Sequence, residues 1–397
     1  MIQPGPVFIP KGFKFSAVKA GIKASGKPDL ALIVAEPSTT AAALFTKNLI
    51  VAAPVEVGRA AVAKSKGRVR AVVVNSGNAN CATGHAGIRD CRKVCGETAR
   101  FLKLRAAEVF PSSTGIIGVP LPVEKITSQL KLLTSIAGAS TDHLQRFAEA
   151  ILTTDSKPKL ASVPLRSGRG AVTGMAKGSG MIHPQLATML VYLLTDVVAT
   201  PAELKTALRE ACDDSFNAIS IDGDTSTNDT VLLLASGASS IPLRSVRKEF
   251  DRALLEVCRS LAEQIVADGE GVQHVIRLRI DQAKNRDEAL RIARAISHSL
   301  LVKTAWAGAD PNWGRILAAV GRSGVPVQPN KISIYVGDQQ VCRGAVACSF
   351  DKNVAHEELS KPECRITVRL GRGKASLEFL TTDLSAEYVR INAEYST

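Results

Sequence analysis

The 397-residue chain predicts a mixed α/β fold, of the α/β or α+β class, and three observations carry that prediction. Short runs of β-branched and apolar residues recur along it. Longer stretches with apolar residues three and four apart lie between those runs. A hydrophobic fraction of 45% and a charged fraction of 22% are ordinary globular usage and exclude wholesale disorder.

In chain order the strand-like runs are Leu30 to Ala35, Val69 to Val74, Val231 to Leu234, Val275 to Ile280, Ile332 to Val336 and Cys364 to Leu370. Helical periodicity covers Ile88 to Leu104, Leu144 to Leu152, Val246 to Val266 and Asp287 to Leu301. Two helix starts are signalled chemically. Thr200-Pro201-Ala202-Glu203 offers a capping hydroxyl, a proline whose missing N–H costs nothing there, and a glutamate that can reach back. Asn285-Arg286-Asp287-Glu288 repeats the logic without proline. The turn at Gln282 to Asn285 is the expected domain boundary, giving a main unit of residues 1–283 and a C-terminal α/β unit of 284–397.

Several function classes are set aside by composition. No run approaches the roughly 18 apolar residues of a membrane helix; the most apolar stretch, Met189 to Ala199, is broken by Thr195 and Asp196. The first residues carry neither a basic region nor an apolar segment, so a cytoplasmic address is expected. The eight cysteines include no C-x-x-C pair and read as reduced thiols; Cys91 and Cys95, four apart on a helix, read as packing residues rather than metal ligands, and no metal site is expected. Residues 1–187 hold 25 Lys and Arg against 10 Asp and Glu, whereas residues 188–397 hold 25 against 27, so the net +13 belongs to the first part. With only 17 aromatic residues, and no aromatic-studded basic stripe, affinity for a small anionic substrate fits that excess as well as nucleic acid does.

Familiar site signatures are missing. Neither G-x-x-x-x-G-K-[ST] nor G-x-G-x-x-G occurs, and Asp222 to Asp229 fails as a calcium loop because Thr227 and Leu233 stand where Gly and Glu are needed. Its side chains read instead as caps on a tight turn. Four small, polar, glycine-bearing segments read as loops able to bring backbone amides to a ligand: Asn75 to Asn80, Ser112 to Gly115, Lys177 to Gly180 and Asp268 to Gly271. Ser112-Ser113-Thr114-Gly115 could present donors to an oxyanion. By composition alone Thr188 reads as a packing or capping residue.

Lys177-Gly178-Ser179-Gly180-Met181-Ile182 followed by Ala187-Thr188-Met189-Leu190 resembles the self-cleavage region of the ornithine acetyltransferases, or glutamate N-acetyltransferases, of arginine biosynthesis. The resemblance spans essentially the whole chain. It takes in Asn75 to Asn80, Ser113-Thr114-Gly115, Thr153-Thr154-Asp155, Asp222 to Thr230, Asp268 to Gly271, Asp310 to Arg315 and Tyr388 to Asn392. It implies an αββα sandwich with a smaller C-terminal α/β domain, and self-cleavage between Ala187 and Thr188 into chains of residues 1–187 and 188–397 that assemble as α2β2.

The resemblance further implies an N-terminal-nucleophile mechanism. Thr188 would carry acetyl from N-acetylornithine to glutamate by ping-pong chemistry, its freed α-amine serving as the base. Thr114 and Gly115 would form the oxyanion hole. Thr154, Lys177, Thr188, Glu270, Asn392 and Thr397 would hold the substrate, Lys177 suiting an α-carboxylate and Glu270 the ornithine ammonium. No bound cofactor is implied; acetyl-CoA is a co-substrate of some members. Many members carry Ala where this chain has His183, which reads as a loop or core histidine. Two other readings stand beside this one: an amidase or aminopeptidase of related fold that delivers the acyl group to water, and a non-enzymatic basic protein binding nucleic acid.

Overall fold

A computed structural model describes residues 7–165, 170–183 and 189–394. Three sheets organise them. The first has the order β1 (Phe13–Val18), β2 (Leu30–Ala35), β4 (Ala71–Asn78), β5 (Val109–Ile116), antiparallel except for the parallel β4–β5 pair. The second runs β3 (Thr40–Phe45), β10 (Thr230–Ala235), β8 (Leu190–Thr195), β7 (Ala171–Lys177), β6 (Lys159–Pro164), with β10 and β8 parallel.

Side-chain alternation makes these two sheets a sandwich. Phe13, Phe15, Ile33, Val72 and Val74 of the first meet Met175, Leu190, Tyr192, Leu194, Leu232 and Leu234 of the second. The helix α4 (Thr141–Ala150) closes one edge of that layer with Leu144 and Phe147. The opposite face of the first sheet, with Leu30, Leu32, Val73 and Val109, is covered by α1 (Ala53–Lys64), α2 (Gly84–Leu102) and α3 (Val123–Ser135). Val172, Val191, Leu193, Val231 and Leu233 of the second sheet face α5 (Pro201–Asp213) and α6 (Arg247–Ala267). The layers therefore run α, β, β, α, as the resemblance implies. Cys91 and Cys95 pack in the α2 layer.

A third sheet runs β14 (Val346–Ala347), β13 (Gln339–Arg343), β12 (Ser333–Val336), β15 (Glu363–Arg369), β11 (Val275–Ala283), β16 (Ala375–Thr382), β9 (Ile219–Ser220). One face packs Ile276, Leu278, Ile280, Ile366, Val368 and Phe379 against α7 (Arg286–Ser297), α8 (Leu300–Ala307), α9 (Trp313–Gly321) and α10 (Lys352–Leu359). This sheet takes strands from both sides of residue 283. The last helix, α11 (Ala386–Glu394), lies on the side of the sandwich where its cavity opens.

Both capping signals act as their chemistry dictates. The Thr200 hydroxyl accepts from Glu203 N while Glu203 reaches back to Thr200, and the Asn285 side chain accepts from Glu288 N. Three local readings are corrected. The helix expected over 287–301 breaks at His298–Ser299, where the Ser299 hydroxyl caps a new helix by accepting from Val302 N. The strand expected over 69–74 is Ala71–Asn78. Asn75 to Asn78 and Ser112 to Gly115 are not loops but the carboxyl ends of the paired strands β4 and β5. Strand propensity argues against Asn, Ser and Gly there, and the ladder the two strands form with each other overrides it.

Candidate functional site

The β4–β5 ends and the stretch from the end of β7 to Met181 line a common cavity of about 250 Å³. Its lining contains Thr114, Gly115, Thr154, Lys177, Glu270 and Asn392, drawn from five separate stretches of chain. Two other cavities, about 440 and 640 Å³, lie elsewhere and hold none of these residues, so size alone does not mark the site. Ala187, Thr188 and Thr397 lie outside the described residues. The described chain resumes at Met189, whose N–H donates to the Asp229 carboxylate and whose carbonyl accepts from Thr230 N. The next residue, Leu190, is paired with Lys177 on one side and Thr230 on the other.

Strand pairing fixes the oxyanion candidates. Gly115 sits opposite Gly77 with φ +130°, a region open to glycine. A Cβ there would lie 2.3 Å from the Gly77 carbonyl carbon and 2.5 Å from Asn78 N. The Lys177 ammonium donates to Thr114 Oγ1 at 3.2 Å, which leaves the threonine hydroxyl proton free to point elsewhere. Asn228 ties the sheets together here, its amide donating to Ala79 O at 2.7 Å and Ser113 O at 2.9 Å.

The substrate-binding candidates are held by their neighbours. Thr154 Oγ1 shares a 2.8 Å hydrogen bond with Ser179 Oγ, and Glu270 N donates to Ser179 O. Asn392 on α11 donates to Glu270 Oε2 at 3.0 Å. Burial lowers the Lys177 ammonium from its usual range, opposed by Asp155, whose carboxylate is 4.0 Å away. Burial would raise Asp155, but the charges of Lys177 and Lys159 outweigh it and hold it near 2.

Two further carboxylates flank the cavity. Asp222 is pushed up to about 6 by burial, although it accepts from Met181 N at 2.5 Å and Ile182 N at 2.9 Å. It thereby holds Met181 in the left-handed region at φ +58°. Asp229 is raised by burial as well, and its Oδ2 has no hydrogen-bond partner among the described residues. Part of the expected turn capping is present: Asp224 N donates to Asp222 Oδ1 and Asn228 N to Ser226 Oγ.

The basic excess of residues 1–187 does not gather here. Among the described residues Lys177 is the lone basic residue in the lining, against Asp222, Asp224 and Glu270. Such a cavity suits a small molecule carrying one carboxylate and one ammonium rather than a polyanion. Sequence reasoning missed Lys159, which lies behind the lining and carries no motif of its own; Asp155, Asp268 and Tyr388, whose hydroxyl reaches Asp222 Oδ2 at 3.4 Å, were legible only as parts of the Thr153 to Asp155, Asp268 to Gly271 and Tyr388 to Asn392 segments.

Layers and cavity together define a mixed α/β protein of the αββα sandwich type, with a small polar site at the strand ends between its sheets. Residues 14–397 match the ArgJ family, and the chain belongs to it. It is 44% identical over 393 residues to the arginine biosynthesis bifunctional protein ArgJ of Chlorobaculum tepidum, covering 98% of this chain and 96% of that one. It is 44% identical over 392 residues to the protein of the same name from Thermus thermophilus, covering 98% and 100%. Among solved structures, argJ of Bacillus halodurans aligns at 38% identity over 49% of this chain and 93% of that chain, with a TM-score of 0.47. Ornithine acetyltransferase of Mycobacterium tuberculosis, complexed with ornithine, aligns at 37% identity over 44% and 93%, with a TM-score of 0.42.

Proposed function

We propose that the chain is an acyltransferase of arginine biosynthesis that moves acetyl from N-acetylornithine to glutamate through an acetyl ester on Thr188. The observation that carries this reading is the charge arrangement of the cavity. One ammonium, Lys177, stands beside Thr114, and the carboxylates of Glu270, Asp222 and Asp224 line the same cavity. N-acetylornithine carries one carboxylate and one ammonium, so Lys177 takes the first and Glu270, held by Asn392, takes the second.

Self-cleavage between Ala187 and Thr188 supplies the nucleophile. The Thr188 hydroxyl attacks the Ala187 carbonyl, the peptide bond gives way to an ester, and water completes the break, freeing an α-amine with a reference pKa of about 7.7–8.0. That amine takes the hydroxyl proton as Oγ attacks the acetyl carbonyl of N-acetylornithine. The C–N bond then breaks, and the proton passes to the departing amino group of ornithine. Glutamate's amino group attacks the ester in the reverse sense and restores the threonine. The Thr114 hydroxyl and Gly115 N–H stabilise the oxyanion of both tetrahedral intermediates. The cleaved chains pair as α2β2.

Initial-rate kinetics with N-acetylornithine and glutamate test this directly. Parallel double-reciprocal lines and N-acetylglutamate as product are expected. Acetate released at the same rate whether or not glutamate is present would overturn the reading in favour of an amidase.

A further inference from the structure

Behind the cavity, and outside its lining, lies a fully buried row of charges. Lys159, at the start of β6, is 0% exposed. Its ammonium donates to Asp155 Oδ1 at 2.7 Å and to Asp268 Oδ2 at 2.6 Å, two carboxylates 113 positions apart in the chain that are themselves almost entirely buried. Each carboxylate anchors a segment that carries a binding group. Asp155 follows Thr154 directly, accepts from Gly178 N at 2.6 Å and lies 4.0 Å from the Lys177 ammonium. Asp268 accepts from Ser156 N at 3.1 Å and from the Ser156 hydroxyl, and stands two residues before Glu270.

We propose that Lys159 is the positioning residue of the substrate site: it ties the Thr154, Lys177 and Glu270 segments into one unit and balances the charge that holds Lys177. The proposal rests on the acetyltransferase reading above. Without Lys159, two carboxylates would sit buried beside each other with Lys177 as the nearest remaining cation, a costly arrangement. With it, Asp155, Lys159, Asp268 and Lys177 sum to neutrality, and each carboxylate oxygen of Asp155 and Asp268 accepts at least one hydrogen bond.

A structural strut and a charge-balancing positioning residue differ in one measurable respect. Lys159 and Asp155 act on Lys177 with opposite sign, Lys159 repelling its proton and Asp155 retaining it. Asp229 and Glu270 also favour the charged form, whereas Lys23, attracted by Asp155, and Lys177 repel each other. Loss of the Lys177 proton removes the partner of the substrate carboxylate and sets the alkaline limb of kcat/KM for N-acetylornithine. Replacing Lys159 by a neutral residue therefore moves that limb to higher pH. Replacing Asp155 by asparagine moves it to lower pH.

The experiment uses the self-cleaved wild-type enzyme, Lys159→Met, Lys159→Gln and Asp155→Asn, each measured for kcat/KM and KM against pH and for thermal melting. Lys159→Gln keeps a hydrogen-bonding head group for both carboxylates should the methionine variant fail to fold. Opposite displacements of the alkaline limb, with KM for N-acetylornithine raised several-fold while kcat falls less, are expected. A folded Lys159→Gln enzyme whose limb coincides with that of wild type, or moves to lower pH, would overturn the proposal and leave Lys159 a strut. Wild-type protein that transfers no acetyl at all would instead overturn the functional reading, and this proposal with it.

Discussion

Replacing Gly115 by alanine perturbs the proposed oxyanion donors with a single methyl group, and its effect can be worked from the strand geometry. The new Cβ would stand 2.3 Å from the Gly77 carbonyl carbon, 2.5 Å from Asn78 N and 2.7 Å from Gly77 Cα. All three are backbone atoms, so no side chain can swing aside. Ordinary contact begins at 3.4 Å, and 3.4 minus 2.3 requires a retreat of 1.1 Å between the ends of β4 and β5. A φ of +130° adds a conformational penalty of about 1–3 kcal/mol for a residue with a side chain. Misplacing a reacting group by 1 Å costs about 100-fold in rate, or about 2.7 kcal/mol of barrier. Gly115→Ala is therefore expected to lose about 100-fold in kcat/KM for acetyl transfer, with a melting temperature lowered by about 1 °C per kcal/mol for a chain of this length. Self-cleavage should slow in parallel, because the same donors serve both reactions. A folded variant that melts earlier yet keeps the wild-type transfer rate would refute the placement of Thr114 and Gly115 at the reacting carbonyl.

Three further outcomes follow from the same geometry. Asn392→Ala removes the 3.0 Å donor from Glu270, and because α11 is exposed the expected cost is about 1–2 kcal/mol, read as a roughly tenfold rise in KM for N-acetylornithine with kcat little changed. Lys177→Met removes the carboxylate partner and should raise KM for both N-acetylornithine and glutamate, whereas an equal fall in kcat alone would place Lys177 on the chemistry instead. His183 and His298 share a 3.1 Å hydrogen bond, and burial lowers them to about 4 and about 3. Between pH 6.5 and those values the unfolded chain binds more protons than the folded one, so stability falls as pH drops through that window. Melting temperature against pH should show that acid loss in wild type and a flatter acid arm in His298→Gln; identical arms would contradict it.

How much of this was legible in the sequence depends on how local each feature is. The helix starts at Thr200 and Asn285 were readable because a cap involves residues three apart. β11 was readable because one face of its sheet is solvated, so Arg277 and Arg279 alternate with Ile276, Leu278 and Ile280. β8 is buried on both faces and shows only a continuous apolar run, which does not distinguish strand from helix. The polar ends of β4 and β5 read as loops because their strand character comes from pairing with each other, as at Asn75 and Ser113, 38 residues apart. Thr154, Lys177, Glu270 and Asn392 were named through motifs. The joining of Asp155 to Asp268 through Lys159 was not, because a salt bridge across 109 residues leaves no spacing in the chain.

The central claim is that Thr188 carries the acetyl group between two amino acids. Intact mass spectrometry of the purified protein, before and after brief exposure to N-acetylornithine without glutamate, addresses it most directly, with Thr188→Ala as control. The account predicts two fragments meeting between Ala187 and Thr188, one acetyl group gained on the fragment that begins with Thr188, its loss on adding glutamate, and a single unmodified chain in the control. An uncut wild-type chain, or an acetyl group found on the fragment of residues 1–187, would contradict it.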